Sequence, residues 1–468
     1  MLTEFNDNDA KSITTSSYEH QGMNPTLTIL AIGDIHLGTV PSQLPENLSE
    51  TGFTKQDLTP AAAWKSAVDF AISNQVDAVL LAGDVVESTN ARFEAMVPLE
   101  QGVQQLIKHD IRVIAVAGNH DTDALPRLAK LIDGFCLLGE HGKWEKTVLS
   151  KDGKPVAAII GWSFPERHVC DNPTATLDQQ TLGLASQALC KIGLLHGDLD
   201  ASGGRYAPVK TADLRSSGFD AWLLGHIHKP SLLQTAVHSG QEPIGYLGSL
   251  VGLDPTETGP HGPWILNISA TGIDAIRQIP IAPLRWEQMS IPIDHVENTE
   301  DLADFLLEQA TQAVQQVNES GPTPHMLGIR ATLTGQCSCH KEIQTWIEKR
   351  EFKNLQRLVG NTWIFYNKVI NFTDTQIDLE EIASGDDPAA LLAQRICTLE
   401  NNQPGAKELI EQGRVQLEGT ARQSCWIPVD EHRNAVDVLS DEYLRELLIR
   451  AGKSALHNML DQMSENDT

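Results

Sequence analysis

The sequence predicts an α/β fold, in which a two-sheet sandwich flanked by helices is followed by a small α/β domain and a helical C-terminal region. Three observations support this prediction. Short apolar runs alternate with helix-prone segments in the first half of the chain, a pattern typical of layered α/β proteins. A second strand-helix alternation starts near residue 286. From about residue 374 the chain is acidic and has helical periodicity.

Apolar runs bounded by turn residues define the expected strands of the first part. They are Thr28–Ile32, Asp77–Ala82, Arg112–Ala117, Val156–Gly161, Lys191–Leu195 and Ala221–Leu224. The helices Ala61–Asn74 and Phe93–Lys108 are expected between the first three strands. From Leu232 to Ile279 the pattern is strand-rich and punctuated by Gly and Pro, with strands at Gly245–Leu250 and Trp264–Ile268. We expect this last segment to form the second sheet, closing over the first.

The pattern shifts near residues 280–283, which places the first domain at residues 26–285 and a small α/β domain at residues 286–373. The expected elements of the small domain are the strands Trp286–Ile293, Leu327–Leu333 and Thr362–Asn371 and the helices Thr299–Val317 and Lys341–Arg350. Residues 374–468 should form an acidic helical region, with amphipathic stretches at Ala389–Leu399 and Glu442–Met463. Residues 1–25 are polar and should be a disordered leader, so Met23 is an alternative start to Met1.

Composition narrows the class of protein. No run of 18 or more apolar residues is present, which argues against a transmembrane helix and membrane association. The N-terminal residues lack the basic and apolar regions of a secretory signal. The 7 cysteines are scattered without a disulfide framework, which fits a reducing, cytoplasmic location. Cys337, Cys339 and His340 form a CxCH run. Either they bind zinc, or they are ordinary thiols beside a helix start.

The formal net charge of -27 restricts the partners that bulk electrostatics can attract. Nucleic-acid binding normally relies on Lys and Arg, which release counterions from the phosphates. A chain this acidic should therefore hold DNA poorly by charge alone. If its substrate is DNA, metal ions or a partner protein must supply much of the attraction.

Five short polar motifs follow predicted strands. They are Gly33-Asp34-Ile35-His36, Gly83-Asp84-Val85-Val86-Glu87, Gly118-Asn119-His120-Asp121, His196-Gly197-Asp198 and Gly225-His226-Ile227-His228. Ligand-binding groups of α/β sheets lie beyond the strand ends. In an extended segment, residues i and i+2 point the same way, so the Asp and His of the first motif should converge, as should the two His of the last. Mixed imidazole and carboxylate ligands suit Mn, Fe or Zn better than Mg or Ca.

Taken together, the motifs resemble the signature of the calcineurin-like metallophosphoesterase superfamily, which reads DxH, GDxx(D/E), GNH(D/E), H and GHxH in this order. The resemblance implies a two-sheet metallophosphoesterase sandwich with two divalent metal ions, Mn first, with Fe, Zn and Mg as alternatives. It further implies the ligands, which are Asp34, His36 and His228 for one ion, Asn119, His196 and His226 for the other, and Asp84 as a bridge between both.

The same resemblance assigns roles beyond metal binding. A metal-activated hydroxide would attack the phosphodiester in line, and both ions would neutralise the phosphate oxygens. His120 would lie beside the ions without binding them, and it would stabilise the transition state or protonate the leaving group. Glu87 stands three residues after Asp84. It would either orient His120 or be a solvated loop carboxylate.

Local sequence resembles one branch of this superfamily. The run Phe219–Pro230, which contains LGHIHKP, is similar to the DNA-repair exonuclease branch, with bacterial SbcD-type and YhaO-like nuclease subunits as the nearest likeness. The segment Tyr246–Leu250 is similar to the YPGS element of that branch, although Leu247 replaces its Pro. Asp254–Gly262 resembles the glycine-rich loop that follows. The resemblance implies that residues 286–373 are an α/β capping domain.

This branch implies an enzyme and its partners. The substrate would be DNA, cleaved by an exonuclease that also has endonuclease activity and acts in DNA repair with an SMC-like coiled-coil ATPase; a homodimer is compatible with it. The C-terminal leucines would dock on the ATPase or pack on the chain's own cap. They are Leu444, Leu447, Leu448, Leu456 and Leu460. Arg205 and Lys229 would contact phosphates or be ordinary surface charges.

Two other functions fit the same motifs. A small-molecule phosphodiesterase or phosphatase could use the same site, because a capping domain can also shape a small pocket. A non-enzymatic scaffold of a repair complex is the third alternative. The presence of all seven expected ligands argues against this scaffold.

Overall fold

The computed structural model describes residues 27–87, 92–178, 183, 190–201, 203–233, 235–236, 242–269, 272–375, 379–421 and 437–466. The expected leader at residues 1–25, including Met23, lies outside these ranges. The described residues form two compact units. Unit 1 reaches to Ser42 and resumes from Gly52 to Arg285, and unit 2 combines Gln43–Thr51 with the residues from Trp286 onwards. The sequence analysis assigned residues 43–51 to the first domain, whereas their contacts place them in unit 2.

Unit 1 contains twelve strands among the described residues. They are β1 (Leu27–Ile32), β2 (Ala78–Ala82), β3 (Arg112–Val116), β4 (Phe135–Leu137), β5 (Trp144–Lys151), β6 (Lys154–Trp162), β7 (Cys190–His196), β8 (Ala221–Gly225), β9 (Thr235–Ala236), β10 (Ile244–Tyr246), β11 (Trp264–Ser269) and β12 (Gly272–Gln278). Its α-helices are α1 (Pro60–Ser73), α2 (Arg92–Lys108), α3 (Ala124–Leu131) and α4 (Thr211–Ser216). Short 3-10 helices lie at Lys55–Leu58, Glu140–Gly142 and Pro173–Thr176.

The strands of unit 1 form two sheets, with the orders β4-β3-β2-β1-β11-β12-β9 and β10-β8-β7-β6-β5. The paired strands from β1 to β4 are parallel, as are those from β6 to β8 and β10. The β2 run is buried throughout, as expected where a parallel sheet is covered on both faces. One apolar core joins both sheets, with Ile29 and Leu80 from the first and Ile159 and Leu223 from the second. The predicted two-sheet sandwich is confirmed.

The sequence analysis was wrong about which strands form the second sheet. Of the strands between residues 232 and 279, only β10 joins it in the described structure, whereas β11, β12 and β9 extend the first sheet beyond β1 in antiparallel order. The expected strand Gly245–Leu250 ends at Tyr246, and Gly248 then takes a positive φ of 77°. An apolar run indicates a strand, but it does not specify the partner, which is set by packing with residues far away in sequence.

Among the described residues, unit 2 contains six α-helices and six strands, the first of which begins in the last two residues of unit 1. The strands are β13 (Leu284–Pro292), β14 (Met326–Thr334), β15 (Gln336–Cys337), β16 (Gln356–Val359), β17 (Thr362–Asn371) and β18 (Asp374–Thr375). The helices are α5 (Thr299–Ser320), α6 (His340–Glu348), α7 (Leu379–Ala383), α8 (Pro388–Glu400), α9 (Ala406–Ala421) and α10 (Asp441–Asn466), with 3-10 helices at Leu48–Thr51 and Glu351–Asn354. A four-stranded sheet of order β13-β14-β17-β16 shares a core with α5 and α6.

The helices α8, α9 and α10 pack closely on one another. Leu444 and Leu456 are buried in their cores, so these two leucines pack on the chain itself. Two glycines allow the close approach. A Cβ on Gly413 would lie 3.0 Å from Leu448, and one on Gly452 would lie 3.0 Å from Ile396.

The CxCH run does not form a zinc site in the structure. The Cys337 and Cys339 side chains are buried, and their sulfurs contact Thr373 Oγ1 and the Val296 carbonyl at 3.8 and 3.7 Å. His340 directs Nδ1 to Thr373 Oγ1 at 2.8 Å. Within the described ranges, these residues are absent from the groups whose ligand atoms converge. The structure therefore favours ordinary thiols at the start of α6.

Two further expectations concern the whole chain. Each of the six cysteines inside the described ranges has a free thiol, as the scattered spacing predicted. Across those same ranges, none of the helices combines the length and the hydropathy that crossing a bilayer requires.

Candidate metal centre

The seven predicted metal ligands meet at the carboxyl ends of β1, β2, β3, β7 and β8. They form two groups. Asp34, His36 and His228 offer ligand atoms that all lie within 4.8 Å of one another. The second group consists of Asp84, His196 and His226, whose ligand atoms also lie within 4.8 Å of one another.

Asp84 lies between the two groups. Its Oδ2 atom is 3.3 Å from His196 Nε2 in its own group and 3.8 Å from His36 Nε2 in the other. Asn119 adds its side-chain oxygen to the second group, with Oδ1 3.0 Å from His196 Nε2. The structure thus brings together every residue that the sequence assigned to metal binding, and it places the expected bridge where the two groups adjoin.

The backbone reason given for this convergence was wrong. Asp34 and His36 are not extended, since their φ angles are 41° and 53°, and Asp84 and His226 have φ angles of 47° and 111°. Each such residue costs about 1–3 kcal/mol, and strain of this kind concentrates at functional sites. The first two loops are tied together by backbone hydrogen bonds, in which the His36 and Leu37 amides donate to the carbonyls of Asp84 and Val85 at 2.9 Å.

Glycines preceding the ligands allow the loops to approach one another. A Cβ on Gly118 would lie 2.2 Å from Asp84 Oδ1. A Cβ on Gly225 would lie 2.1 Å from the Ala82 carbonyl oxygen and 2.8 Å from His196 Nδ1. Neither gap can hold a methyl group, so glycine is required here by close contact.

Replacing Gly225 with alanine should therefore destabilise the fold. Forcing extra volume into a packed site costs typically 1–3 kcal/mol and occasionally more, so we expect Gly225→Ala to lower the free energy of unfolding by about 3 kcal/mol. Urea denaturation followed by tryptophan fluorescence measures this change. The matched control is Gly419→Ala in the exposed part of α9, where no atom lies within 4 Å of the new Cβ. It should stabilise the helix by about 0.5–1 kcal/mol. Equal stability of Gly225→Ala and the wild type would contradict the packing argument.

Burial and neighbouring charges both shift the pKa values of the centre. Burial raises the pKa of Asp34, which is fully enclosed. Burial would lower the pKa of His196, but the charges of Asp84 and Asp34 outweigh it and raise this pKa to about 9. Burial would raise the pKa of Asp84, yet His196 and His36 hold it below its usual value. Burial, and then the charge of His196, lower the pKa of His226 to about 4. The Asp84 carboxylate and the His196 imidazolium therefore stabilise each other, whereas burial disfavours the charged forms of Asp34 and His226.

The donor set fits divalent cations. His36 Nε2 and His228 Nε2 face each other at 3.1 Å, and Asp34 completes that group. Two imidazole nitrogens that converge with a carboxylate on one point are a ligand arrangement for a transition metal, for which imidazole is a good ligand. Because the carboxylates are buried, cations bound between them would replace the solvation that burial removes.

Three carboxylates that the sequence analysis did not assign support this centre. Asp198 Oδ1 lies 3.1 Å from His226 Nε2, and Glu257 Oε1 lies 2.8 Å from His228 Nδ1. Asp121 accepts hydrogen bonds from the Val85 and Gly118 amides at 2.7 Å, which ties the second loop to the third. Asp198 and Asp121 stand inside two of the five motifs, so the sequence could have indicated them as residues of the centre.

His120 and Glu87 form a pair beside the ligands. The His120 amide donates to Asp84 Oδ1 at 2.9 Å, and its Nδ1 lies 2.9 Å from Glu87 Oε2. The same carboxylate oxygen is 3.6 Å from His36 Nδ1. Of the two alternatives for Glu87, the structure therefore shows the contact with His120. The His120 side chain is 34% exposed, so a substrate can reach it.

Several known proteins are similar to this chain. Residues 27–230 match the family model described as calcineurin-like phosphoesterase. An uncharacterised metallophosphoesterase, YhaO of Bacillus subtilis strain 168, is 29% identical over 277 residues, which span 58% of this chain and 64% of that relative. Among solved structures, a dimetal phosphatase from Danio rerio is similar with 14% identity, a TM-score of 0.35, and coverage of 53% of this chain and 94% of its own. A protein from Thermus thermophilus is similar with 14% identity, a TM-score of 0.31, and coverage of 52% and 94%.

The sequence match and the geometry cover the same part of the chain. All the predicted ligands, together with His120 and Glu87, lie between residues 27 and 230. The match to the calcineurin-like phosphoesterase family model over residues 27–230 therefore coincides with the segment that holds the candidate centre.

Proposed function

We propose that the protein is a two-metal-dependent phosphodiesterase that cleaves DNA as an exonuclease and also as an endonuclease. One observation supports the proposed phosphodiesterase activity. Two groups of ligand atoms adjoin at Asp84, and the exposed side chain of His120 stands beside them. We further propose Mn as the natural ion, because the ligands mix imidazoles with carboxylates.

Each residue of the centre has a proposed role. Asp34, His36 and His228 would hold one ion, Asn119, His196 and His226 the other, and Asp84 both. Bound ions would activate a water nucleophile at neutral pH and neutralise the phosphate oxygens. His120 would stabilise the transition state or give a proton to the leaving oxygen, and Glu87 contacts its Nδ1 at 2.9 Å, which leaves Nε2 for the substrate.

Exposed groups near the centre support a DNA substrate. Arg205 and Lys229 are both exposed, and Lys229 directly follows His228. Arg205 precedes Tyr206, whose ring centroid lies 4.9 Å from that of His226. Both residues are positively charged and stand next to residues of the centre in sequence, on a chain of net charge -27. The resemblance of Phe219–Pro230 to DNA-repair exonucleases points the same way.

A surface of unit 2 supports the proposed SMC-like coiled-coil ATPase partner. An apolar groove of about 970 Å³ runs between α8, α9 and α10, and Leu447 and Leu448 line it. Leu391 and Val415, on the same helices, are 56% and 62% exposed. An amphipathic helix of a coiled coil could place its apolar face in such a groove. A partner bound there would also help an acidic nuclease to hold DNA.

A small-molecule phosphodiesterase is the second candidate, and the net charge of -27 favours it. Counterion release supplies much of the affinity of proteins for DNA. An acidic surface therefore weakens substrate binding more in an enzyme that acts on DNA than in one that acts on small substrates.

A direct assay separates the two candidates. Purified protein with Mn should degrade end-labelled duplex and single-stranded DNA, faster when the ATPase partner is present, and EDTA should stop the reaction. The same preparation is offered bis-p-nitrophenyl phosphate and cyclic nucleotides. If these are hydrolysed while both DNA substrates remain intact with the partner present, the nuclease proposal is abandoned and the second candidate stands.

A further inference from the structure

The ring of His228 contacts a carboxylate that lies outside the five motifs of the expected ligands. Glu257 Oε1 lies 2.8 Å from His228 Nδ1, and the two side chains are only 18% and 27% exposed. If Nδ1 donates its proton to Glu257, the neutral imidazole has its lone pair on Nε2. That atom is the one that faces His36 Nε2 at 3.1 Å.

Glu257 is itself fixed in place. Its second oxygen, Oε2, accepts from the Leu253 amide at 2.9 Å and from Ser249 Oγ at 3.3 Å. Ser249 Oγ also lies 3.0 Å from His261 Nδ1, and His261 Nε2 lies 3.1 Å from the Glu257 carbonyl. Ser249 and His261 are 0% and 2% exposed. A buried network therefore prevents the carboxylate from turning away from His228.

The other imidazoles of the centre contact other groups. His196 Nδ1 contacts the uncharged Ala82 carbonyl at 3.0 Å. His226 Nε2 contacts Asp198 at 3.1 Å. The carboxylate near His36 Nδ1, that of Glu87, lies 3.6 Å away and is closer to His120. Among the expected ligands in the described part of the chain, Glu257 contacts His228, which belongs to the Asp34–His36–His228 group.

We infer that Glu257 is a positioning residue that orients His228 and thereby sets the cation affinity of the Asp34–His36–His228 group alone. This inference rests on the proposed function, since it assumes that the group holds a metal ion. Carboxylates that orient a ligating histidine keep its tautomer and raise its basicity, and their loss weakens metal binding roughly 10–100-fold.

The test measures metal binding without any substrate. Mn is titrated into chelator-treated protein, and free Mn is counted by electron paramagnetic resonance. The wild type should bind two ions. Glu257→Ala should weaken one of them roughly 10–100-fold and leave the other unchanged. Glu257→Gln should lie between, because its amide oxygen can still accept from Nδ1 but carries no charge. The matched control in the same loop is Asp254→Asn, which loses only the charge of a residue that hydrogen-bonds to Ser42 and Thr256. It should bind like the wild type.

The outcomes separate this inference from the proposed function. A wild type that binds no Mn refutes the two-metal proposal itself. Two ions bound normally by Glu257→Ala, or two ions weakened equally, overturn the role of Glu257 and leave the proposed function intact. Thermal unfolding in EDTA checks that each variant is folded. Should Glu257→Ala fail this check, Glu257→Gln decides, because a selective loss of one ion supports the inference and wild-type binding overturns it.

Discussion

Asp84→Asn should abolish phosphodiester hydrolysis while leaving the protein folded. The amide keeps the shape of the side chain, and its oxygen can still accept from the His120 amide, a contact of 2.9 Å in the wild type. What disappears is the charge that Asp84 places 3.3 Å from His196 and 3.8 Å from His36. Since metal ions supply several kcal/mol of transition-state stabilisation, we expect kcat to fall by at least about 10³-fold.

Two measurements check this expectation. Initial rates on DNA and on bis-p-nitrophenyl phosphate give kcat, and elemental analysis of the dialysed protein should find fewer than two Mn per chain. Asp110→Asn is the matched control, because Asp110 is an exposed aspartate that also has a positive φ, 60° compared with 47° for Asp84. It should keep wild-type activity. An Asp84→Asn variant with two bound ions and at least a tenth of the wild-type rate would contradict the bridging role.

His120→Ala should lose hydrolysis but keep both metal ions. Its side chain contacts Glu87 at 2.9 Å, and its ligand atom converges with those of His36 and Glu87 rather than with those of Asp34 or Asp84. A positioned acid contributes typically 10²–10⁴-fold, so we expect the rate on DNA to fall by roughly that factor. The leaving oxygen of DNA is an alkoxide that needs a proton, whereas p-nitrophenolate leaves readily without one. The rate on bis-p-nitrophenyl phosphate should therefore fall much less.

The comparison of the two substrates decides what His120 does. An equal loss on both would show that His120 stabilises charge in the transition state instead of protonating the leaving group. Glu87→Gln, which keeps the hydrogen-bonding shape but removes the charge, should give a smaller loss with the same preference. His109→Ala changes an exposed histidine on the loop after α2 and serves as the control with unchanged rates. Loss of bound Mn in His120→Ala would place this residue among the ligands.

Local pattern carried most of the information on secondary structure. The apolar runs of β1, β2, β3 and β8 and the amphipathic periods of α1 and α5 are properties of neighbouring residues. Strand pairing is different, because it depends on contacts across the chain. β11 begins at Trp264, yet it pairs with β1, which begins at Leu27. The assignment of the strands between residues 232 and 279 to the second sheet failed for this reason.

The candidate centre likewise has features that the sequence predicted and features that it did not. Its ligands stand in short motifs after strands, so their residue types and order were readable. The backbone conformation was not readable, because positive φ values at Asp34 and His36 are imposed by the pairing of their loop with the loop of Asp84. Glu257 was missed, since it stands 29 residues after His228 in sequence and reaches it only through the fold.

The sequence by itself predicted many of the elements, among them β1, β2, β3 and β8, and the order of the polar motifs, because these depend on short-range periodicity. The expected ligands came from the resemblance of these motifs to a family signature. Only the tertiary structure decided which strands share a sheet, that Glu87 contacts His120, and that Glu257 contacts His228. It also decided that Leu444 and Leu456 pack on the chain itself. The physical reason is that these contacts join residues brought together by burial of a common core, and no local pattern encodes a partner that lies far away in the chain.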